Sequence, residues 1–209
     1  MEVKKIVWLV LIVLSCSLAV RAQSVNEAQV KADISQAAAA LQSLQCDFVQ
    51  TKHVSLLNDQ LVSRGVMYYQ QGNKLHWEYT SPYAYTFVLN GSQVVLRNRQ
   101  RSDVIDVKQN KLFREIVKIM MNSVVGKCLT DDKDFSVSIR VTPSEYQAEM
   151  APLRKDLKPL FQTIVLHFDR RKKLVTQVEL IEKKGDKTLI QLSNMKTNVP
   201  IAESLFAIR

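Results

Sequence analysis

A chain of 209 residues, with 29 Lys+Arg against 20 Asp+Glu (formal charge +9) and 46% apolar residues, can build one domain with a sizeable core. Five glycines, five prolines and three cysteines exclude a low-complexity chain and a disulfide-dense scaffold. The basic surplus favours anionic partners such as lipid head groups or acidic protein surfaces.

Met1 to Lys5 is a short basic start, Ile6 to Val20 an apolar run, and Val20-Arg21-Ala22 before Gln23 a small-residue cleavage site. This is a secretory signal peptide over residues 1–22, and the run is too short for a membrane span. Val13-Leu14-Ser15-Cys16 offers a competing lipobox, in which an acylated Cys16 would anchor the mature protein; the bulky Leu14 argues against it. Removing residues 1–22 leaves 26 Lys+Arg against 19 Asp+Glu, a formal +7, in a single domain over residues 23–209. Export makes nucleic acid the least suited of the anionic partners. Cys46 and Cys128 survive processing, and an oxidising compartment would let them close a loop worth roughly 4 to 5 kcal/mol in the loop-entropy model. Two buried thiols acting as small apolar groups are the other reading, and both stay open.

From Val25 to Leu44, the residues Val30, Ile34, Ala37, Ala38, Leu41 and Leu44 recur at helical spacing, predicting an amphipathic helix that lies on something apolar. After Cys46 the period becomes two. Strands are predicted around Phe48 to Lys52 and over Val62 to Gln71, with a turn at Gln71-Gly72-Asn73 into Lys74 to Thr80, where Leu75, Trp77 and Tyr79 share a face. Ser81-Pro82 breaks the run, Tyr83, Tyr85, Phe87 and Leu89 resume it, and Asn90-Gly91 turns the chain into Gln93 to Arg97, with a further strand near Ser102 to Val107. Between Lys111 and Val125, Leu112, Ile116, Ile119, Met120, Ser123 and Val124 trace a second helical face, which Gly126 ends. Strands return at Phe135 to Thr142, Tyr146 to Met150, Phe161 to Asp169, Leu174 to Glu182 and Lys187 to Met195. Ten or eleven antiparallel strands with two or three helices predict a mainly β fold. Its sheet curls into an incomplete, half-open barrel that the helices cover.

The sequence offers little for catalysis. His53, His76 and His167 stand without a second His or Cys at metal-ligand spacing, and no nucleophile elbow or phosphate loop is present. Asp131-Asp132-Lys133-Asp134 reads as a solvated turn rather than a calcium loop. Asp169 to Lys173 reads as a basic hairpin tip, with a docking patch as its functional alternative. Asn90-Gly91-Ser92 matches a glycosylation acceptor but is already explained as a turn. The expectation is a binding protein without metal or cofactor, not an enzyme. Its candidate cavity residues are Phe48, Met67, Tyr69, Leu75, Trp77, Tyr79, Phe87 and Leu89 from successive strands, with Ile119 and Met120 from the covering helix. The same set would also serve an ordinary sandwich core.

The segments Phe48-Val49-Gln50-Thr51-Lys52, Arg64-Gly65-Val66-Met67-Tyr68-Tyr69, Leu75-His76-Trp77-Glu78-Tyr79-Thr80-Ser81-Pro82 and Val88-Leu89-Asn90-Gly91 resemble, in order and spacing, the LolA-type outer-membrane lipoprotein carrier family. Phe161 to Asp169 and Gly185-Asp186-Lys187-Thr188 leading to Phe206 extend the resemblance over nearly the whole mature chain. It implies a periplasmic, monomeric carrier of acylated lipoprotein in a Gram-negative bacterium. Such a carrier is loaded by an inner-membrane ABC-type release complex and unloaded to an outer-membrane acceptor. Family members resembling this chain hold the lid with an Arg near the turn between the second and third strands. Here that turn is Gln70-Gln71-Gly72-Asn73, so either Arg64 or Arg97 substitutes as a lid contact or the lid is held differently. A paralogue carrying another lipid, such as a polyene or glycolipid intermediate, and a sensor of the RseB type are the alternatives.

Overall fold

The computed structural model describes residues 26–56, 59–109, 114, 117–119, 121–122, 125, 129 and 133–208. The signal segment 1–22 with Cys16, and Met120 and Cys128, lie outside the described residues. The first helix, α1, spans Glu27–Ala40 and starts where the Asn26 side chain accepts from the Gln29 amide. The periodicity predicts it as far as Leu44, but the backbone is extended from Leu41 onward. Ser43 and Leu44 instead pair with Gln70 and Tyr69, so ladder hydrogen bonds on both flanks override the helical pattern there. Helical structure recurs at the described residues between 114 and 125.

Eleven strands follow. They are β1 (Ser43–Val54), β2 (Asp59–Gln70), β3 (Lys74–Ser81), β4 (Tyr85–Asn90), β5 (Gln93–Asn98), β6 (Ser102–Asp106), β7 (Phe135–Val141), β8 (Glu145–Pro152), β9 (Phe161–Asp169), β10 (Val175–Glu182) and β11 (Lys187–Thr197). All form one antiparallel sheet in the order β6-β5-β4-β3-β2-β1-β11-β10-β9-β8-β7. Two meanders thus join through β1 and β11. The free edges are β6 and β7, so the barrel is not closed, as expected for a half-open sheet.

That order dictates where the lid lies. The chain between β6 and β7 has to travel from one free edge to the other, and the side chains it buries show the route. Val107, Val117, Ile119, Met121, Val125 and Leu129 belong to the same apolar cluster as Phe48, Met67 and Leu75 on one face of the sheet. Val30, Ile34 and Ala38 of α1 join that cluster too. Both helical segments therefore cover the concave face.

The convex face carries a small core of its own. Phe206, in a 3-10 turn over Glu203–Phe206, is fully buried with Val88 and Val95, outside the main cluster. Asn90 Nδ2 donates to the Phe206 carbonyl, and Lys74 Nζ reaches Glu203 at 2.6 Å. The C-terminal segment is thereby strapped across β3 and β4.

Candidate functional site

Strand register lines up the candidate cavity residues into three adjacent rows on the concave face. The first runs Leu192, Phe48, Gly65, Tyr79, Tyr85; the second Cys46, Met67, Trp77, Phe87, Leu96; the third Leu44, Tyr69, Leu75, Leu89, Val94. All eight strand residues anticipated from the sequence fall on this face, and Ile119 comes down onto it from the helical segment. Aromatic contacts weld the centre. Phe48 lies 4.4 Å from Trp77 and 5.1 Å, edge to face, from Tyr79. Tyr79 also faces Tyr85 at 6.3 Å. Gly65 makes this possible. A Cβ there would stand 1.9 Å from the Glu78 carbonyl oxygen and 2.6 Å from Phe48 Cζ, so the ring occupies the space of the missing side chain.

Exposure along the concave rows is graded. On β1, Leu44, Cys46 and Phe48 are buried while Gln50 and Lys52 are half-buried; on β3, Leu75 and Trp77 are buried and Tyr79 is not. Leu89 to Phe87 and Tyr85 on β4, Val178 to Leu180 on β10, and Leu192 to Ile190 on β11 repeat the trend. The concavity is thus filled at depth and opens at the rim where β1 ends and β2 begins. Sequence reasoning missed Leu96, Leu180 and Ile190 at this mouth. Leu189-Ile190 and Leu180-Ile181 are adjacent apolar pairs, which mask the alternation of a strand.

Polar groups on this face are few. Tyr79 Oη donates to Gln50 Oε1 at 3.0 Å. The Trp77 Nε1 is buried without a hydrogen-bond partner among the described residues. It approaches the Tyr79 hydroxyl closely enough to temper a phenol that burial otherwise pushes up, but not in hydrogen-bonding geometry. Burial also raises Tyr69 and Tyr85. Cys46 is a buried free thiol pushed up to about 12, first by burial and then by the neighbouring Asp47. Its expected partner, Cys128, is outside the described residues.

Opposite the mouth, a bulge places Asn194 and Met195 of β11 against Cys46, with Asn194 donating to Asp47 at 2.6 Å. Two adjoining clefts of about 400 and 720 Å³ meet there and share Lys172 and Met195; Ala37, Leu41 and Leu174 supply apolar wall.

Arg64 and Arg97, the substitute lid contacts, are placed by strand register. Arg64 pairs with Val49 and Arg97 with Thr86, positions that alternate with Phe48 and Phe87 along their strands. Among the described residues, an ion pair ties the helical segment to the sheet. Asp134 is buried, and its carboxylate receives Lys118 Nζ at 3.0 Å from the helical segment and Arg154 Nη1 at 3.3 Å from the turn after β8. Lys31 Nζ of α1 donates to the Val137 carbonyl. The run of aspartates reads in sequence as a solvated turn; Asp134 departs from it because Phe135 beside it enters the core and carries it inward.

Other titratable side chains are paired within the fold. His76, buried on the convex face, sits 2.7 Å from the Leu205 carbonyl and 3.1 Å from Glu78, while His167 lies between Glu145 and Glu179 at 3.1 and 2.9 Å. Burial opposes ionisation of Glu145, but hydrogen bonds from Gln147 and His167 outweigh it and hold its carboxyl below the ordinary range. In the basic hairpin, Arg170 and Lys173 stack on the Tyr146 ring and Asp169 accepts from the Arg171 and Lys172 amides.

The family model for the outer membrane lipoprotein carrier protein LolA matches residues 39–209, which takes in every strand just described. The chain belongs to the LolA family. No curated protein matches its sequence. Among solved structures, an uncharacterized conserved protein from Thermus thermophilus is similar at 10% identity with TM-score 0.54, over 88% of this chain and 94% of that one. The Pseudomonas aeruginosa MucA/MucB complex is similar at 12% identity with TM-score 0.53, over 87% of this chain and 61% of that one. A LolA superfamily protein from Nitrosomonas europaea gives 10% identity and TM-score 0.46, over 85% and 97%. At such identities these structural likenesses concern the LolA-like fold alone.

Proposed function

We propose that this LolA-family protein is a periplasmic carrier that holds the acyl chains of a lipoprotein against its concave face and shuttles them from the inner to the outer membrane. One observation carries the reading. A continuous floor of aromatic, Met and Leu side chains across β1 to β4 is covered by helical segments, not by a second sheet. A helical segment that packs on such a floor through side chains alone can move off it without breaking a strand ladder, whereas a paired sheet cannot. Each methylene that enters contributes roughly 0.8 kcal/mol, so the chains themselves can offset the work of displacing the lid. Aromatic and Met surfaces accept chains of varied length because they make few directional demands.

On this reading the protein performs no covalent chemistry and uses no cofactor. It takes its cargo from an inner-membrane ABC-type release complex and yields it to an outer-membrane acceptor. No helix among the described residues is long and apolar enough to cross a membrane.

Native mass spectrometry with lipid extraction, on mature protein purified from its own periplasm, tests the proposal. Co-purified acylated lipoprotein supports it, and a different lipid identifies a specialised paralogue. An empty protein that also refuses added acylated peptide overturns the carrier role and favours a sensor of the RseB type.

A further inference from the structure

Of the six large apolar side chains exposed among the described residues, four gather around one turn: Leu56 is 92% exposed, Tyr83 83%, Leu61 57% and Val62 44%, while Val104 lies on β6 and Leu153 follows β8. These four stand at the rim where β1 ends and β2 begins, which is also where the concavity opens. They share that rim because β2 overruns β3. Pairing with β3 stops at Arg64 and Ser81, while pairing with β1 continues to Val54 and Asp59, so Leu61 and Val62 ride on an arm beyond the edge of β3. Leu56 follows the end of β1, and Tyr83 sits in the connection from β3 to β4.

The same rim is basic. The turn between β10 and β11 touches the arm, with the Ser55 amide donating to Asp186 and the Ser55 hydroxyl to the Lys184 carbonyl. The carboxylates here are occupied within the fold: Lys52 contacts Glu182 at 3.2 Å and Asp186 at 3.8 Å. Lys183, Lys184 and Lys187 are exposed, and no ion pair among the described residues engages them; Asp59 on the arm is the carboxylate set against them.

We infer that this rim is a docking surface for an anionic phospholipid bilayer, with Leu56 and Tyr83 entering the head-group layer and the lysines meeting lipid phosphates. Exposed apolar side chains beside several cations supply the two signals that reversible membrane attachment needs. Charge complementarity with a chain of formal charge +7 after removal of residues 1–22 selects an anionic surface over a neutral one. The geometry also gives docking a purpose, since it brings the open end of the concavity to the membrane plane. The inference stands apart from the identity of the cargo.

The test is flotation of mature protein with vesicles of phosphatidylcholine alone or with about 30 mol% phosphatidylglycerol, at low and physiological salt. The parent is expected to float with the anionic vesicles and to be released as salt rises. The paired variants Lys183→Glu/Lys184→Glu and Leu56→Ser/Tyr83→Ser each lose on the order of tenfold in partitioning. These are exposed positions, so folding is preserved, and a circular dichroism melt verifies it. A parent that stays at the bottom with both vesicle types, or folded variants that float as well as the parent, overturns the inference. Acyl occupancy by native mass spectrometry is unchanged in the rim variants, so failure to float and failure to carry acyl chains are separate results.

Discussion

Cutting the lid's tether should open the concave site without unfolding the sheet. Lys118 joins Asp134 across 3.0 Å, with the Asp134 side chain 10% exposed and that of Lys118 45% exposed. Solvent screening at the lysine end limits this pair to about 0.5–1 kcal/mol, well short of a fully buried bridge. Lys118→Ala therefore shifts the lid's opening equilibrium about two- to fivefold. Asp134→Asn releases the lid equally but also weakens the Arg154 contact, a hydrogen bond between charged groups whose loss costs a further ~1–2 kcal/mol of global stability. Amide exchange separates the two effects. In Lys118→Ala, exchange accelerates in peptides covering 117–125 and not in β1; in Asp134→Asn it accelerates in both. If exchange over 117–125 is unchanged in Lys118→Ala, the pair is not a tether and the reasoning fails. If β1 accelerates equally, opening is not local to the lid.

Gly65→Ala should be among the most damaging single substitutions. The new methyl collides with backbone at Glu78 and with the Phe48 ring, neither of which can swing away, and a loss of about 3 kcal/mol or more follows; a denaturant melt checks it. Cys46, buried and held protonated near neutral pH, should resist thiol reagents in the native protein and react once the chain is denatured. Glu203 is held below the ordinary glutamate range, first by its hydrogen bond from Lys74 and then by that from Gln70. Its folded pKa is depressed, so the stability it gives the C-terminal strap is present above the unfolded glutamate pKa and lost as pH falls through the lower folded value. Amide protection of residues 203–206 should drop on acidification in the parent, and Glu203→Gln should flatten that dependence.

Much of this architecture can be read from residue order. Alternation at Leu75-His76-Trp77-Glu78-Tyr79 and the turn residues Gly72, Asn73 and Gly91 define hairpins whose positive φ angles the fold then requires. The concave floor on β1 to β4 was legible for the same reason, because one face of each strand is apolar and the other polar. What sequence concealed depends on contacts between distant segments. Tyr83 has the right parity for β4 but precedes its first ladder pair, Tyr85 with Tyr79, and so stands in solvent. Leu44 has helical spacing yet joins β1, because β2 and β11 claim its backbone from both sides. The ion pairs of Asp134 with Lys118 and Arg154 were equally hidden, because their meeting is a product of tertiary packing.

Trp77 gives the most direct test of the central claim that acyl chains lie on the concave face. The sequence holds two tryptophans, Trp8 and Trp77, and the first belongs to the predicted signal segment, so mature protein reports from Trp77 alone. The measurement is titration with an acylated peptide brominated along its chains, with the unbrominated peptide as control, following indole emission. Bromine quenches an indole only on near contact, and Trp77 lies at the centre of the floor, against Phe48. The account predicts saturable quenching by the brominated peptide and none by the control. Saturable binding of the brominated peptide that leaves Trp77 emission unquenched would contradict it.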